Sequence, residues 1–324
     1  MTKAIRVHDY GGPEVLSYDD VDVANPGPGQ VRIRQAAVGL NYIDTYHRTG
    51  LYKLPSLPHA LGVEGAGEVE AVGEGVTNVK PGDKICYGSI LGAYAETRLV
   101  PADRLLALPE GISFETAAGI MLKGMTARYL VRATYRIEAG DTVLIHAAAG
   151  GVGLIACQWA KHLGATVIGT VGSDEKAALA KAHGCDYPIL YTRENFVDRV
   201  KEITGGKGVP VVYDSVGKDT WEGSLDCLAP RGMMVSFGNA SGPVAPFSIL
   251  ALSQKGSLFL TRPTLAHYIT SRAQYEETAN DLFSVVTSGA VKIEINQRYA
   301  LKDVAQAHKD LESRKTTGST ILIP

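Results

Sequence analysis

The sequence predicts a two-domain α/β chain in which a β-rich domain accompanies a six-stranded, doubly wound parallel sheet. Three observations carry this reading. At 324 residues the chain exceeds what one hydrophobic core usually supports. Up to about Gly111 short extended runs are broken by Gly, Pro and Asp, whereas after Phe114 apolar strands alternate with helix-length amphipathic stretches. A glycine-rich turn, AAAGGVG from Ala147 to Gly153, lies between the first of those strands and its helix.

Taken in order, the opening MTKAIRVHDYGG reads as a strand and a turn, with no apolar leader run. In QVRIRQAAV (Gln30 to Val38), Val31 and Ile33 alternate with Arg32 and Arg34, as in a half-buried strand. Gly67 to Val72 and Ala95 to Val100 are further strands, and NPGPGQ and VKPGDK are turns built on Pro and Gly dihedrals. This half is expected to be mostly antiparallel β. The second half should carry strands at Thr142 to Ala147, Thr166 to Val171, Tyr187 to Leu190, Val209 to Asp214, Met233 to Phe237 and Ser257 to Leu260. Helices at Leu154 to Leu163 and Asp174 to His183 are closed by Gly164 and Gly184. Beyond Arg262 only Gly289 and Gly318 remain; a helix at Arg272 to Ser288, a strand at Ile293 to Tyr299, a helix at Lys302 to Arg314 and a strand at Thr320 to Ile323 form a tail expected to return to the first domain.

Composition narrows the function. With 45% hydrophobic and 20% charged residues the chain is neither collagen-like nor disordered, and a net charge of −2 gives no basic footprint for nucleic acid or an anionic membrane. The expected partner is a small molecule. Cys86, Cys157, Cys185 and Cys227 form no CxxC pair, which argues against a zinc knuckle or disulfide framework and for a reducing, cytoplasmic location. Thr142 to Ala160 lacks Asp, Glu, Lys and Arg, yet its central glycines make strand, turn and buried helix a better reading than a membrane span.

In AAAGGVG, Ala148, Gly150 and Gly153 occupy the three small-residue places of a dinucleotide fingerprint. Small residues there permit a tight turn and let backbone N–H groups at the positive helix end approach a pyrophosphate. An NAD site usually has an acid at the end of the second strand; here the chain reads Thr170, Val171, Gly172, Ser173. A 2′-phosphate fits that space, with bonds from Ser173, Lys176 and Tyr191, which points to NADPH. Alternatively Ser173 is only an N-cap and Lys176 a solvated helix residue, and Asp174 and Glu175 leave NADH open.

GDTVLIHAAAGGVGLIACQWAK (Gly140 to Lys161) resembles the signature of zeta-crystallin-type quinone oxidoreductases, in the medium-chain dehydrogenase/reductase superfamily. GLNYIDTYHRTGLY, GVEGAGEVEAVG, MLKGMTA, VVYDSVG, GMMVSFG and ESRKTTGSTILIP extend the resemblance over the whole chain. It implies a GroES-like catalytic domain at 1–124 and 263–324, a Rossmann NADPH-binding domain at 125–262, and a site in the cleft between them. Where zinc-containing relatives carry a Cys and a Gly-His-Glu, this chain has Asn41 and Gly62-Val63-Glu64, so no zinc is expected.

The resemblance puts Asn41, Tyr46 and Tyr52 in the substrate cleft, each able to donate a bond to a quinone oxygen; the other reading makes the tyrosines wall residues and Asn41 an anchor for the cofactor amide or a turn. It implies cofactor contacts at Asn41, Thr126, Ala149, Gly150, Gly151, Val152, Ser215, Phe237 and Gly238. Arg314 either reaches the 2′-phosphate or is a solvated helix-end cation. His146 is read as a satisfied core histidine rather than a catalyst, Asp44 and Glu64 as buried carboxylates holding a neighbouring turn with general acids as the alternative, and Lys123 as touching cofactor or solvent. The expected activity is zinc-independent reduction of a quinone by NADPH in a homodimer paired through an edge strand such as Ser257 to Leu260. The alternatives are reduction of a 2-alkenal or enone double bond and, in another class, an NADPH- or RNA-binding protein without catalysis.

Overall fold

The computed structural model describes residues 1–324. The chain divides into two units: Met1–Lys123 with Ser271–Phe283 and Ile293–Pro324, and Gly124–Thr270 with Ser284–Lys292.

In chain order the first unit begins with β1 (Thr2–Val7), β2 (Leu16–Val21), β3 (Gln30–Leu40), α1 (Tyr42–Thr49), β4 (His59–Ala60), β5 (Glu64–Val72), β6 (Lys84–Gly88), β7 (Thr97–Pro101) and β8 (Leu106–Ala107). A long helix, α2 (Phe114–Tyr129), crosses the division at Lys123. The second unit holds β9 (Thr142–Ile145), α3 (Gly151–His162), β10 (Thr166–Val171), α4 (Asp174–Ala182), β11 (Tyr187–Leu190), α5 (Phe196–Ile203), β12 (Val209–Asp214), α6 (Trp221–Asp226), β13 (Leu228–Ser236), α7 (Leu250–Gln254) and β14 (Phe259–Thr261). The tail adds α8 (Arg272–Thr287), β15 (Ile295–Ala300), α9 (Val304–Glu312) and β16 (Ser319–Ile323).

The six strands of the second unit run parallel in the order β11-β10-β9-β12-β13-β14, the doubly wound arrangement the sequence predicts. Its strands are apolar along their length because helices cover both faces, and Leu144, Ile168, Ile189, Val212 and Met234 are buried together. Val167 and Ile168 of β10 are both inaccessible, which alternation could not produce in a one-sided sheet.

In the first unit, β15, β16, β3, β5, β6 and β8 form one path of a seven-stranded sheet, with β7 also on β3; β2, β1 and β4 form a smaller one. The pairs are antiparallel except β15 with β16. The bulges in β3 against β5 bend this sheet around Val31, Ile33, Val38 and Leu322 in the core. The expectation of a mostly antiparallel β domain holds, with one addition, the helix α1 directly after β3. No helix is long and apolar enough to cross a membrane.

Candidate functional site

At the carboxyl edge of the parallel sheet, the turn after β9 brings backbone into close approach. Ala147 adopts a left-handed φ of 54°, and Ala148 N–H donates to Thr170 O at 3.1 Å, tying the turn to the end of β10. A Cβ on Gly153 would sit 2.2 Å from Ala147 O and 2.9 Å from the Ala148 backbone, so this position admits only glycine. Gly150 caps α3 in an extended conformation, and the first helical bond is Leu154 N–H to Gly150 O at 2.9 Å. The N–H groups of Gly151, Val152 and Gly153 come before that bond, where a helix carries its positive end.

Ser173 caps α4, its hydroxyl accepting Lys176 N–H at 3.3 Å. Tyr191 stands beside it: a Cβ on Gly172 would lie 2.8 Å from the Tyr191 hydroxyl. Ser173 and Lys176 are half-buried and Tyr191 is exposed; of the two acids that leave NADH open, Asp174 pairs with Arg193 and Glu175 takes a hydrogen bond from the Ser173 side chain, which lowers its pKa. At the next strand pair Phe237 N–H donates to Asp214 O at 2.8 Å, and a Cβ on Gly238 would lie 2.3 Å from Ser215 O. Ala149, Gly150, Gly151, Val152, Ser173, Lys176, Tyr191, Ser215, Phe237 and Gly238 therefore all fall at the carboxyl ends of β9 to β13 or just beyond, and Thr126 lies half-buried on α2.

Beneath that edge runs a buried hydrogen-bonded chain. Asp214 accepts Val216 and Gly217 N–H, the Thr220 hydroxyl at 2.7 Å and the Ser224 hydroxyl at 2.8 Å. Since Ser224 donates to Asp214, it accepts from His146 Nε2 at 2.9 Å, which leaves Nδ1 to accept from Thr170 at 2.8 Å. Burial lowers the pKa of His146, against the pull of Asp214, so the ring is neutral and satisfied.

In the first unit, Asn41 ends β3 and starts α1. Its backbone N–H donates to Asp44 Oδ2 at 2.8 Å, while Asp44 N–H returns to Asn41 O at 3.0 Å, and Gly50 closes the helix at φ 77°. The Asn41 side chain donates through Nδ2 to Glu64 Oε1 at 2.6 Å, and Lys123 Nζ reaches the same oxygen at 2.7 Å. Lys123 is only 6% exposed, so within this unit its partner is a carboxylate rather than solvent. Gly39 makes room for this cluster, since a Cβ there would lie 2.1 Å from Glu64 Oε1. On α1, Tyr46 is buried and meets half-buried Tyr52 edge to face at 5.2 Å between ring centres. Arg314 follows α9 in this same unit, exposed and with φ 60°.

A second buried chain, which the sequence did not reveal, converges on Asp44. Arg48 donates to Glu312 at 2.7 Å and to His308 Nδ1 at 2.8 Å; His308 Nε2 therefore donates to Tyr94 at 3.2 Å, and Tyr94 donates to Asp44 Oδ2 at 2.7 Å. Burial, then the Arg48 guanidinium, holds His308 down at about 3, so it stays neutral. Burial, reinforced by Glu64, pushes Asp44 up to about 7 despite Tyr94, Asn41 and Lys123, and its Oδ1 has no hydrogen-bond partner. The signals available were short ones: Asn41 three residues before Asp44, and Gly50 after the helix. No group of three or more His, Cys, Asp or Glu side chains is arranged to hold a metal ion.

Comparison with known proteins agrees in extent. A family described as zinc-binding dehydrogenase matches residues 151–284, and one described as alcohol dehydrogenase GroES-like domain matches 27–110. A quinone oxidoreductase of Pseudomonas aeruginosa is 57% identical over 325 residues, covering all of both chains. The crystal structure of Escherichia coli quinone oxidoreductase complexed with NADPH superposes with a TM-score of 0.97 at 53% identity, over 99% of this chain and 100% of that one. A 2-haloacrylate reductase of Burkholderia sp is 46% identical over 100% of this chain and 99% of its own.

Proposed function

The chain belongs to the quinone oxidoreductases of the medium-chain dehydrogenase/reductase superfamily, and from that premise we propose that it reduces a quinone at the expense of NADPH. The observation that carries the cofactor choice is the end of β10, where Ser173, Lys176 and Tyr191 stand in place of an acid. The fit to a dinucleotide is supported by the turn at Ala147, whose glycines leave backbone room and whose helix start offers N–H groups to a pyrophosphate. Thr126, Ala149, Gly150, Gly151, Val152, Ser215, Phe237 and Gly238 would hold the rest of the nucleotide, with Arg314 as the further cation for the 2′-phosphate. In this division of labour 125–262 binds the cofactor and 1–124 with 263–324 binds the acceptor.

When bound, the nicotinamide supplies a hydride equivalent; the chain's own residues position the acceptor and receive developing charge. Tyr46 and Tyr52 offer aromatic faces to a flat quinone ring and hydroxyl donors to its oxygens, and Asn41 offers its amide. A quinone is electron-poor and needs little further activation, which suits a site built of hydrogen-bond donors. The Asn41 and Val63 positions offer neither thiolate nor imidazole, which supports chemistry independent of zinc.

Reduction of an activated carbon–carbon double bond is the second reading, favoured by the similarity to a 2-haloacrylate reductase. Rates of NADPH oxidation with 1,4-benzoquinone and with a 2-alkenal at equal concentration separate the two: the quinone should be faster, and a faster alkenal reverses the assignment. We also propose a cytoplasmic homodimer. Four free, buried cysteines suit a reducing compartment, and exposed Phe259 on edge strand β14 with exposed Ile249 and Leu250 supports pairing through that edge.

A further inference from the structure

Asn41 is gripped at two places by buried carboxylates. Asp44 Oδ2 takes its backbone N–H at 2.8 Å, and Glu64 Oε1 takes its side-chain Nδ2 at 2.6 Å. Glu64 takes three donors in all, since Oε1 also receives Lys123 Nζ at 2.7 Å and Oε2 receives Leu122 N–H. Glu64 is 0% exposed and Lys123 6%, so water does not compete for these partners. A carboxylate only accepts from an amide N–H and an ammonium only donates, so the set admits one orientation of the Asn41 amide, with nitrogen toward Glu64 and Oδ1 away from it. The pair is also the kind of buried charge that contributes little net stability against an apolar replacement, which suggests a use other than stability.

We propose that Glu64 is a positioning residue for the reductase, locking the Asn41 amide so that, with Oδ1 already facing the Asp44 N–H in the capping box, Asn41 meets its ligand through its second N–H and the remaining Oδ1 lone pair, with Lys123 as the buried counter-charge. Asn41 is thereby an oriented acceptor as well as a donor, and it suits a ligand group that carries its own N–H or O–H. The inference rests on the reading that Asn41 faces the cofactor or the quinone.

Either single truncation strands a buried charge and is expected to unfold part of the chain. The informative variant is the double Glu64→Met/Lys123→Met, compared with wild type by Tm, by kcat/KM for NADPH and a quinone, and by NMR of the Asn41 side-chain amide, assigned by its loss in Asn41→Ser. In wild type one amide proton should lie downfield and exchange slowly. In the double variant that signal should return to the ordinary amide range, and kcat/KM should fall about ten- to hundredfold while unfolding stays cooperative and the Tm drops by about a few degrees, because Leu122 N–H loses its acceptor. A double variant with wild-type kcat/KM, or an ordinary Asn41 amide signal in wild type, overturns the proposal. A wild type that reduces no quinone overturns the functional reading instead, and the amide signal then decides the lock alone. Should the double variant fail to fold, the wild-type signal remains decisive in the same way.

Discussion

Replacing Asp44 by Asn should change how stability depends on pH. Asp44 is fully buried, and its pKa is raised from the usual 3.8 to about 7. Between those values the folded chain holds a proton that the unfolded chain has released, so stability falls as pH rises through this window and levels off above about 7. A displacement of about three pH units at about 1.4 kcal/mol each sets a ceiling near 4 kcal/mol. Asparagine keeps a carbonyl oxygen for Tyr94 O–H and Asn41 N–H, and its amide nitrogen takes the place of the unpartnered Oδ1. The assay is urea unfolding of both proteins from pH 4.5 to pH 8. The wild type should lose about 3 to 4 kcal/mol relative to D44N across that range, nearly all of it below pH 7. Parallel curves would refute the argument, because they would mean that burial does not hold the proton on Asp44.

Three further outcomes follow from named contacts. Gly153→Ala should raise the NADPH Kd about tenfold or more and cost about 1 to 3 kcal/mol of stability, because its Cβ would lie 2.2 Å from Ala147 O; isothermal titration with NADPH and a melting curve check both. Ser224→Ala should cost about 1 to 3 kcal/mol in urea unfolding by breaking the link from His146 to Asp214, while the pH profile of kcat stays unchanged if His146 is only structural. Ser173→Asp with Lys176→Ala should raise the KM for NADPH while leaving that for NADH within about threefold, since each charge-assisted bond to a 2′-phosphate is worth about 1.5 to 3 kcal/mol; equal losses with both cofactors would count against the 2′-phosphate assignment.

The parallel sheet was legible because strands covered on both faces are continuous apolar runs, and Thr166 to Val171, Tyr187 to Leu190 and Val209 to Asp214 coincide with β10, β11 and β12. β13 begins earlier than Met233, at Leu228, since Pro230 and Arg231 break the apolar pattern without ending the strand. Helix α1 escaped notice because eight residues containing two tyrosines and a β-branched isoleucine carry weak helical preference; it is held by the Asn41–Asp44 exchange and the turn at Gly50. Ser173 does form the cap that is the alternative to phosphate binding; the cap uses a lone pair of its hydroxyl and the O–H donates to Glu175, so a 2′-phosphate binds Ser173 only by taking that donor over from Glu175.

What remained hidden are charged side chains whose partners lie far along the chain. Arg48 reads as a solvated helix-end cation, yet it is 1% exposed and bonds His308 and Glu312, more than 250 positions away. Lys123 likewise has no neighbouring acid in sequence, and only the packing of α2 over Gly39 brings it to Glu64. Burial of such groups depends on tertiary pairing, for which local periodicity carries no signal.

Transfer of reducing equivalents from NADPH to a quinone is the activity on which the roles given to these residues depend. It is tested most directly by steady-state kcat/KM for NADPH and for NADH, measured with the same simple quinone before and after treatment with a chelator. A preference for NADPH of about tenfold or more, unchanged by the chelator, is the expected result. Equal or better use of NADH, or activity that depends on added zinc, would contradict it.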